Sequence, residues 1–227
     1  MNSFETFLAG ISSNGLFVID KSIPLSKYVP IDLSANNKLL QTVDVSLLLS
    51  LETFINEQLS RQNTLVGFGG YNETRAIYQR STHFTKSENQ NNRNIHLGID
   101  LWTSAGTSVL APLNGTVHSF KNNTNYGDYG PTIILKHQIN DVVFYTLYGH
   151  LSLESIASLE VGKMFRQGEV IGTLGDASVN GDYPPHLHFQ IIKDIQDYKG
   201  DYPGVCSKTD LEFYLENCPD PNLLLKL

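Results

Sequence analysis

The sequence predicts a mainly β chain of the α+β class, with an antiparallel sheet-rich body and a helical N-terminal extension. Three observations predict it. From about Ile95 onward, short runs rich in Val, Ile, Thr and aromatic residues recur, each punctuated by Gly, Pro or Asn. Before about residue 65, apolar residues recur instead at helical spacing. The chain has 227 residues, 41% apolar and 17% charged, enough for one full core or one domain with a subdomain.

Taken in order, Ser34 offers a cap for a short helix. Asp44 is placed to cap a longer one running to about Gln62, with Leu47, Leu48, Leu51, Phe54, Ile55 and Leu59 as its apolar stripe. Such a stripe reads as packing surface. Gly67-Phe-Gly-Gly70 then breaks the chain. Strands are expected over residues 107–111, 115–120, 132–136, 142–147, 169–173 and 186–192, with Asn114-Gly115 as a hairpin turn. Residues 90–94 and 121–130 read as loops, and the proline-bearing tail from about Lys199 as an irregular segment on the core. The expected division is a helical extension over 1–65, a sheet-rich domain over 66–200 and a packing tail over 201–227.

The net charge is −7 and no basic stripe is visible, which argues against nucleic-acid partners. No apolar run reaches membrane-spanning length, so no membrane partner is expected. The first residues hold Glu5, no cationic segment and no clear cleavage site. With Met1 as the natural start, a cytoplasmic location is expected; a trimmed chain would allow export. Cys206 and Cys218 read as free or buried thiols of a reducing compartment. The sequence leaves the oligomeric state open.

Five residues in three motifs carry the chemistry: His96 and Asp100 in His96-Leu-Gly-Ile-Asp100, His150 in Leu-Tyr-Gly-His-Leu, and His186 and His188 in His186-Leu-His188. In extended chain, residues two or four apart share a face. One sheet surface can therefore gather both pairs. A catalytic zinc takes three N or O ligands and keeps a position open for water. The ligands are drawn from His96, Asp100, His186 and His188, with His150 nearby. Calcium or magnesium would want more oxygen ligands. Singly the motifs are weak, and His83, His118 and His137 are ordinary histidines beside them. Their joint occurrence, each on or beside an expected strand, points to a site.

The stretch from about Ile95 to Ile192 resembles the lysostaphin-type (LytM-like) zinc metallopeptidases, endopeptidases that cut peptide cross-links or stems of bacterial peptidoglycan. Residues 95–100 resemble the family's first motif and 105–117 the hairpin that follows it. Tyr148-Gly-His-Leu-Ser152 resembles the central histidine motif, Gly168–Gly172 the turn and strand after it, and Pro185–Gln190 the closing motif. The resemblance implies a lysostaphin-type fold and zinc held by His96, Asp100 and His188. It leaves His150 and His186 as the catalytic pair, either one able to move the proton or steady the oxyanion. The implied function is zinc-dependent hydrolysis of a peptide bond in a glycine- or D-alanine-containing, peptidoglycan-type peptide. The partner would be a peptide or a peptidoglycan fragment. The alternatives are an intracellular zinc amidase or auxiliary domain without a wall substrate, and a non-catalytic zinc-binding activator. Residues 175–185, with Asp176 and Asp182, are longer than the family's usual turn and are expected to reshape the groove.

Overall fold

The computed structural model describes residues 1–80 and 92–227. The strands described are β1 (Tyr28–Pro30), β2 (Val66–Gly69), β3 (Ile95–His96), β4 (Ile99–Trp102), β5 (Ser108–Leu110) and β6 (Gly115–Asn123), followed by β7 (Gly130–Ile139), β8 (Val142–Gly149), β9 (Met164–Phe165), β10 (Val170–Thr173), β11 (His186–Ile192) and β12 (Val205–Cys206). The α-helices described are α1 (Ser3–Gly10), α2 (Leu48–Arg61), α3 (Glu154–Ala157), α4 (Leu211–Asn217) and α5 (Asn222–Leu225). Eight of these strands form one sheet in the order β1-β2-β4-β11-β8-β7-β6-β9, with β10-β5 and β12-β3 as separate pairs. The β1–β2 pairing is parallel; the others are antiparallel.

Period-two alternation decides which side of the central strands faces what. Ile99 and Leu101 on β4, and Leu187, Phe189 and Ile191 on β11, enter the main core with Ile133, Leu135, Phe144 and Tyr148. Each such buried side chain contributes about 1.5–3 kcal/mol. Asp100, Trp102, His186, His188 and Gln190 alternate with them and so lie on the opposite face. A polar cluster can survive there because two further apolar clusters flank it. One is built by α2 and β1 with Trp102 and Tyr183, the other by the C-terminal segment with Tyr129, Ile134 and Leu147. No described helix is long and apolar enough to cross a membrane.

The N-terminal region differs from expectation in detail. α1 was not anticipated; Asn2 and Glu5 close a capping box on it, and Phe4 and Leu8 enter the main core. Asp44 does not cap α2. Its carboxylate instead accepts from the Ser46 amide at 3.0 Å, closing a local turn, and the helix begins at Leu48. Leu51, Phe54 and Ile55 are buried as expected, while Leu47, lying before the helix, is exposed. No α-helix forms near Ser34, where only turns precede a 3-10 turn over Leu40–Thr42. Residues 66–69 do not break the chain; they form β2, hydrogen-bonded between β1 and β4.

The expected strands are present with edges moved by at most three residues, but one connection differs. Asn114-Gly115 is not a hairpin turn, because β5 pairs with β10 and β6 with β7 and β9. The chain passes from one sheet to the other there, and the Asn114 side chain accepts from the Gln167 amide at 2.8 Å. The tail is more regular than expected, with β12, α4 and α5, and Cys206 and Cys218 are free and buried. Residues 92–94 are irregular; the rest of the loop expected over 90–94 lies outside the described residues, as does His83.

Candidate metal centre

The strand register assembles the site. His188 on β11 lies directly opposite Asp100 on β4 and, on its other side, opposite Gly149 at the end of β8. His150 is the next residue after Gly149. Its backbone is left-handed, with φ at 65°, a conformation a non-glycine residue holds only when its surroundings fix it. The fixing bonds are visible: its amide donates to Tyr129 O at 2.8 Å, and its carbonyl accepts from the Gly175 amide at 2.9 Å.

His96 arrives differently from the expectation of one extended strand shared with Asp100. It belongs to β3, which pairs with β12 outside the main sheet. The chain then passes through Leu97 and Gly98 into β4. Gly98 is forced by contact: a Cβ there would lie 2.6 Å from His188 Cε1 and 2.8 Å from Phe189 O.

The trio converges tightly. His96 Nε2 lies 2.8 Å from His188 Nδ1, and Asp100 Oδ1 lies 3.2 Å from the first and 3.1 Å from the second. All three residues are buried. The outer nitrogens decide what faces inward. His96 Nδ1 is 2.9 Å from the Gly70 carbonyl, which can only accept, so Nδ1 carries the proton. Gln190 Nε2 donates to Pro203 O, which turns its Oε1 towards His188 Nε2 at 2.9 Å, so Nε2 carries the proton there. The inner nitrogens, His96 Nε2 and His188 Nδ1, therefore face one another and a carboxylate oxygen. Three such ligand atoms, all within 4.8 Å of one another, could hold a metal ion. Around a tetrahedral zinc with bonds of about 2.0–2.2 Å, ligand atoms sit about 3.3–3.6 Å apart, so the two sides to Asp100 need to open by about 0.1–0.5 Å and the 2.8 Å side between the imidazoles by about 0.5–0.8 Å.

His186 does not join that trio, although the sequence left it open as a ligand. Its Nδ1 donates to Pro184 O at 2.7 Å, and its ring stands 4.1 Å, centre to centre, from that of His150. His150 Nδ1 likewise donates to Asn180 O at 2.8 Å. Each of these rings thus keeps its Nε2 lone pair free of its own backbone anchor. Trio and pair line one cavity of about 200 Å³, whose aromatic walls include Tyr78, Trp102, Tyr129, Tyr183 and Tyr202.

Burial sets the charge states. It pushes His96 down to about 4, with the Arg75 charge adding to it, and lowers His186. His150 is held well below the ordinary range by burial and by His186 beside it. All three imidazoles are therefore neutral near pH 7. Burial opposes charge on Asp100, but the two histidine rings and the Arg75 guanidinium around it outweigh that cost and hold the carboxyl well below its usual range.

The sequence reading missed four contributors. Arg75 Nη1 donates to Asp100 Oδ2 at 2.5 Å. Gly70 and Asn180 orient His96 and His150 through their carbonyls. Gln190 orients His188, and only its spacing of two from that residue on one strand face could have indicated it. Asn180 and Tyr183 come from the long stretch 175–185. Tyr183 walls the cavity beside His186, so this stretch does shape the groove.

Residues 94–200, a little under half of the chain, match the family model described as peptidase family M23. That stretch resembles the M23 peptidases. The M23 stretch is similar to a protein described as an uncharacterized metalloprotease of Haemophilus influenzae, at 32% identity over 95 residues, 42% of this chain and 18% of that one. It is also similar to an L-Ala–D-Glu endopeptidase of Bacillus subtilis, at 28% identity over 107 residues, 45% of this chain and 31% of that one. The match thus covers less than a third of either relative's length. Among solved structures, the catalytic domain of lysostaphin from Staphylococcus simulans is 27% identical, covering 53% of this chain and 80% of that one with a TM-score of 0.38. The M23 match includes His96, Asp100, His150, His186 and His188; Gly70 and Arg75 lie outside it.

Proposed function

We propose that the chain is a zinc-dependent endopeptidase that hydrolyses a peptide bond in peptidoglycan-type peptides containing glycine or D-alanine. His96, Asp100 and His188 are its metal ligands, and His150 and His186 its proton-handling pair. The observation that carries the proposal is the convergence of three lone pairs whose outer nitrogens and oxygen are all anchored, beside two more neutral imidazoles in the same cavity. The substrate class is supported by the M23 match and by the relative described as an L-Ala–D-Glu endopeptidase.

Bound by that trio, zinc supplies Lewis acidity to a scissile carbonyl and lowers the pKa of water at its open position. The chain's own groups do the rest. A neutral imidazole at 150 or 186 accepts the proton of the attacking water at Nε2 and returns it to the leaving amine. The partner ring steadies the negative oxygen that develops on the carbonyl carbon through Nε2–H once it has taken a proton from solvent, since its Nδ1–H is held by the backbone. Asn180 O and Pro184 O keep the two rings from rotating between these tasks. Tyr78, Trp102, Tyr129, Tyr183 and Tyr202 wall the cavity in which the substrate peptide would lie.

The test combines metal analysis with digestion. About one zinc per chain is expected, lost in His188→Ala, together with release of fragments from purified peptidoglycan or from oligoglycine. Zinc retained in His188→Ala overturns the ligand set. Zinc binding with no turnover of either substrate overturns the enzyme and leaves a metal-binding module.

A further inference from the structure

Arg75 is a buried cation that the proposed chemistry does not use. It is 3% exposed. Its Nε donates to Glu73 Oε2 at 2.5 Å and its Nη1 to Asp100 Oδ2 at 2.5 Å. Glu73 is itself held, its second oxygen accepting from the Leu33 amide at 3.2 Å. The Trp102 ring centre lies 5.6 Å from the guanidinium carbon. The guanidinium is therefore fixed by two carboxylates and an aromatic ring. Among the described residues its Nη2 is buried without a hydrogen-bond partner, and it packs against Gly70, where a Cβ would come within 1.9 Å of it and 3.0 Å of His96 Nδ1.

An isolated buried cation costs several kcal/mol, and so does an isolated buried carboxylate. Pairing offsets both costs but also fixes geometry, because the planar guanidinium fork binds a carboxylate oxygen in one direction. Asp100 Oδ2 is thereby turned away from the histidines, and Oδ1 alone is left towards them at 3.1–3.2 Å. A carboxylate free at both oxygens can chelate a metal instead. The segment that imposes this direction also supplies the Gly70 carbonyl that orients His96, and it lies before the family match at residue 94.

We propose that Arg75 is a positioning residue for the metal centre: fixed by Glu73, it holds Asp100 as a one-oxygen ligand through Oδ1. The inference rests on the reading of His96, Asp100 and His188 as metal ligands. It assigns residues 70–75 a part in the centre's geometry that the M23 stretch does not supply.

Cobalt(II) alone, added to the metal-free full chain, is the probe, since its visible absorption weakens as coordination number rises. The main variant is Arg75→Met with Glu73→Gln, which removes the cation together with the second carboxylate. Relative to wild type, it is expected to bind cobalt about 10–100-fold more weakly, the range for lost outer-shell partners, with weaker visible bands as Asp100 chelates. Arg75→Lys, which keeps the charge and loses the fork, is the second variant should the first fail to fold. It is expected to shift the same way by a smaller amount. Wild-type bands and affinity in whichever variant folds overturn the positioning role and leave Arg75 as a structural ion pair. No cobalt binding by wild type, or equal binding by His188→Ala, overturns the metal reading and this inference with it.

Discussion

Gly98→Ala tests the centre without touching a ligand. The new methyl would stand 2.6 Å from His188 Cε1, 2.7 Å from His188 Nε2 and 2.8 Å from Phe189 O. Ordinary contact begins near about 3.4 Å, so the imidazole must recede by about 0.7 Å or the strand must move. The strand is the stiffer element, because β11 is hydrogen-bonded on both sides, to β4 and β8. The ring therefore shifts and carries Nδ1 off its mark, beyond the tolerance of about 0.2 Å for a metal–ligand distance. Overpacking of this kind costs about 1–3 kcal/mol, which taken from the metal-bound state is about a five- to 150-fold loss of affinity. Gly10→Ala is the control, since a Cβ there meets nothing within 4 Å. Zinc affinity is read by competition with a coloured chelator, and folding by circular dichroism. Wild-type zinc affinity in folded Gly98→Ala would refute the argument that the trio is a metal site with its third ligand at His188.

Three further outcomes are expected. His150→Ala and His186→Ala should each keep zinc and lose about a hundredfold or more in turnover, measured on peptidoglycan fragments; a variant that empties the metal site would exchange ligand and proton-transfer roles. Phe54→Ala, on the buried face of α2, should cost about 3–5 kcal/mol in urea unfolding, and unchanged stability would mean the helix is not packed as described. Burial pushes His137, remote from the centre, down to about 4, so the unfolded chain binds its proton first. Its contribution is therefore complete above pH 6.5 and lost between 6.5 and 4, about 3 kcal/mol in all. Urea midpoints of metal-free His137→Gln should fall less steeply over that window than those of wild type, and parallel curves would show that His137 does not titrate in this way.

The sequence by itself determined six of the strands, β5 to β8, β10 and β11, and the identity of the five central residues. Alternation and β-branched runs are local, so the strand over residues 186–192 could be read directly, and with it the shared face of His186 and His188. The Asn2/Glu5 capping box and the Phe4–Leu8 spacing of α1 were equally local and went unread. Tertiary structure alone decided the pairings. Nothing near Asn114-Gly115 says that β5 joins β10, or that β2 sits between β1 and β4 as an arm of the sheet. It also decided which nitrogen of each histidine faces inward, since Gly70 and Asn180 lie 26 and 30 residues from the rings they anchor. Arg75 could not be read at all. A lone arginine before a loop has no periodicity, and its meaning comes from the carboxylate 25 residues away that the fold brings to its guanidinium. Residue types near in sequence set the backbone, whereas charge and lone-pair direction in the centre depend on distant groups that only packing brings together.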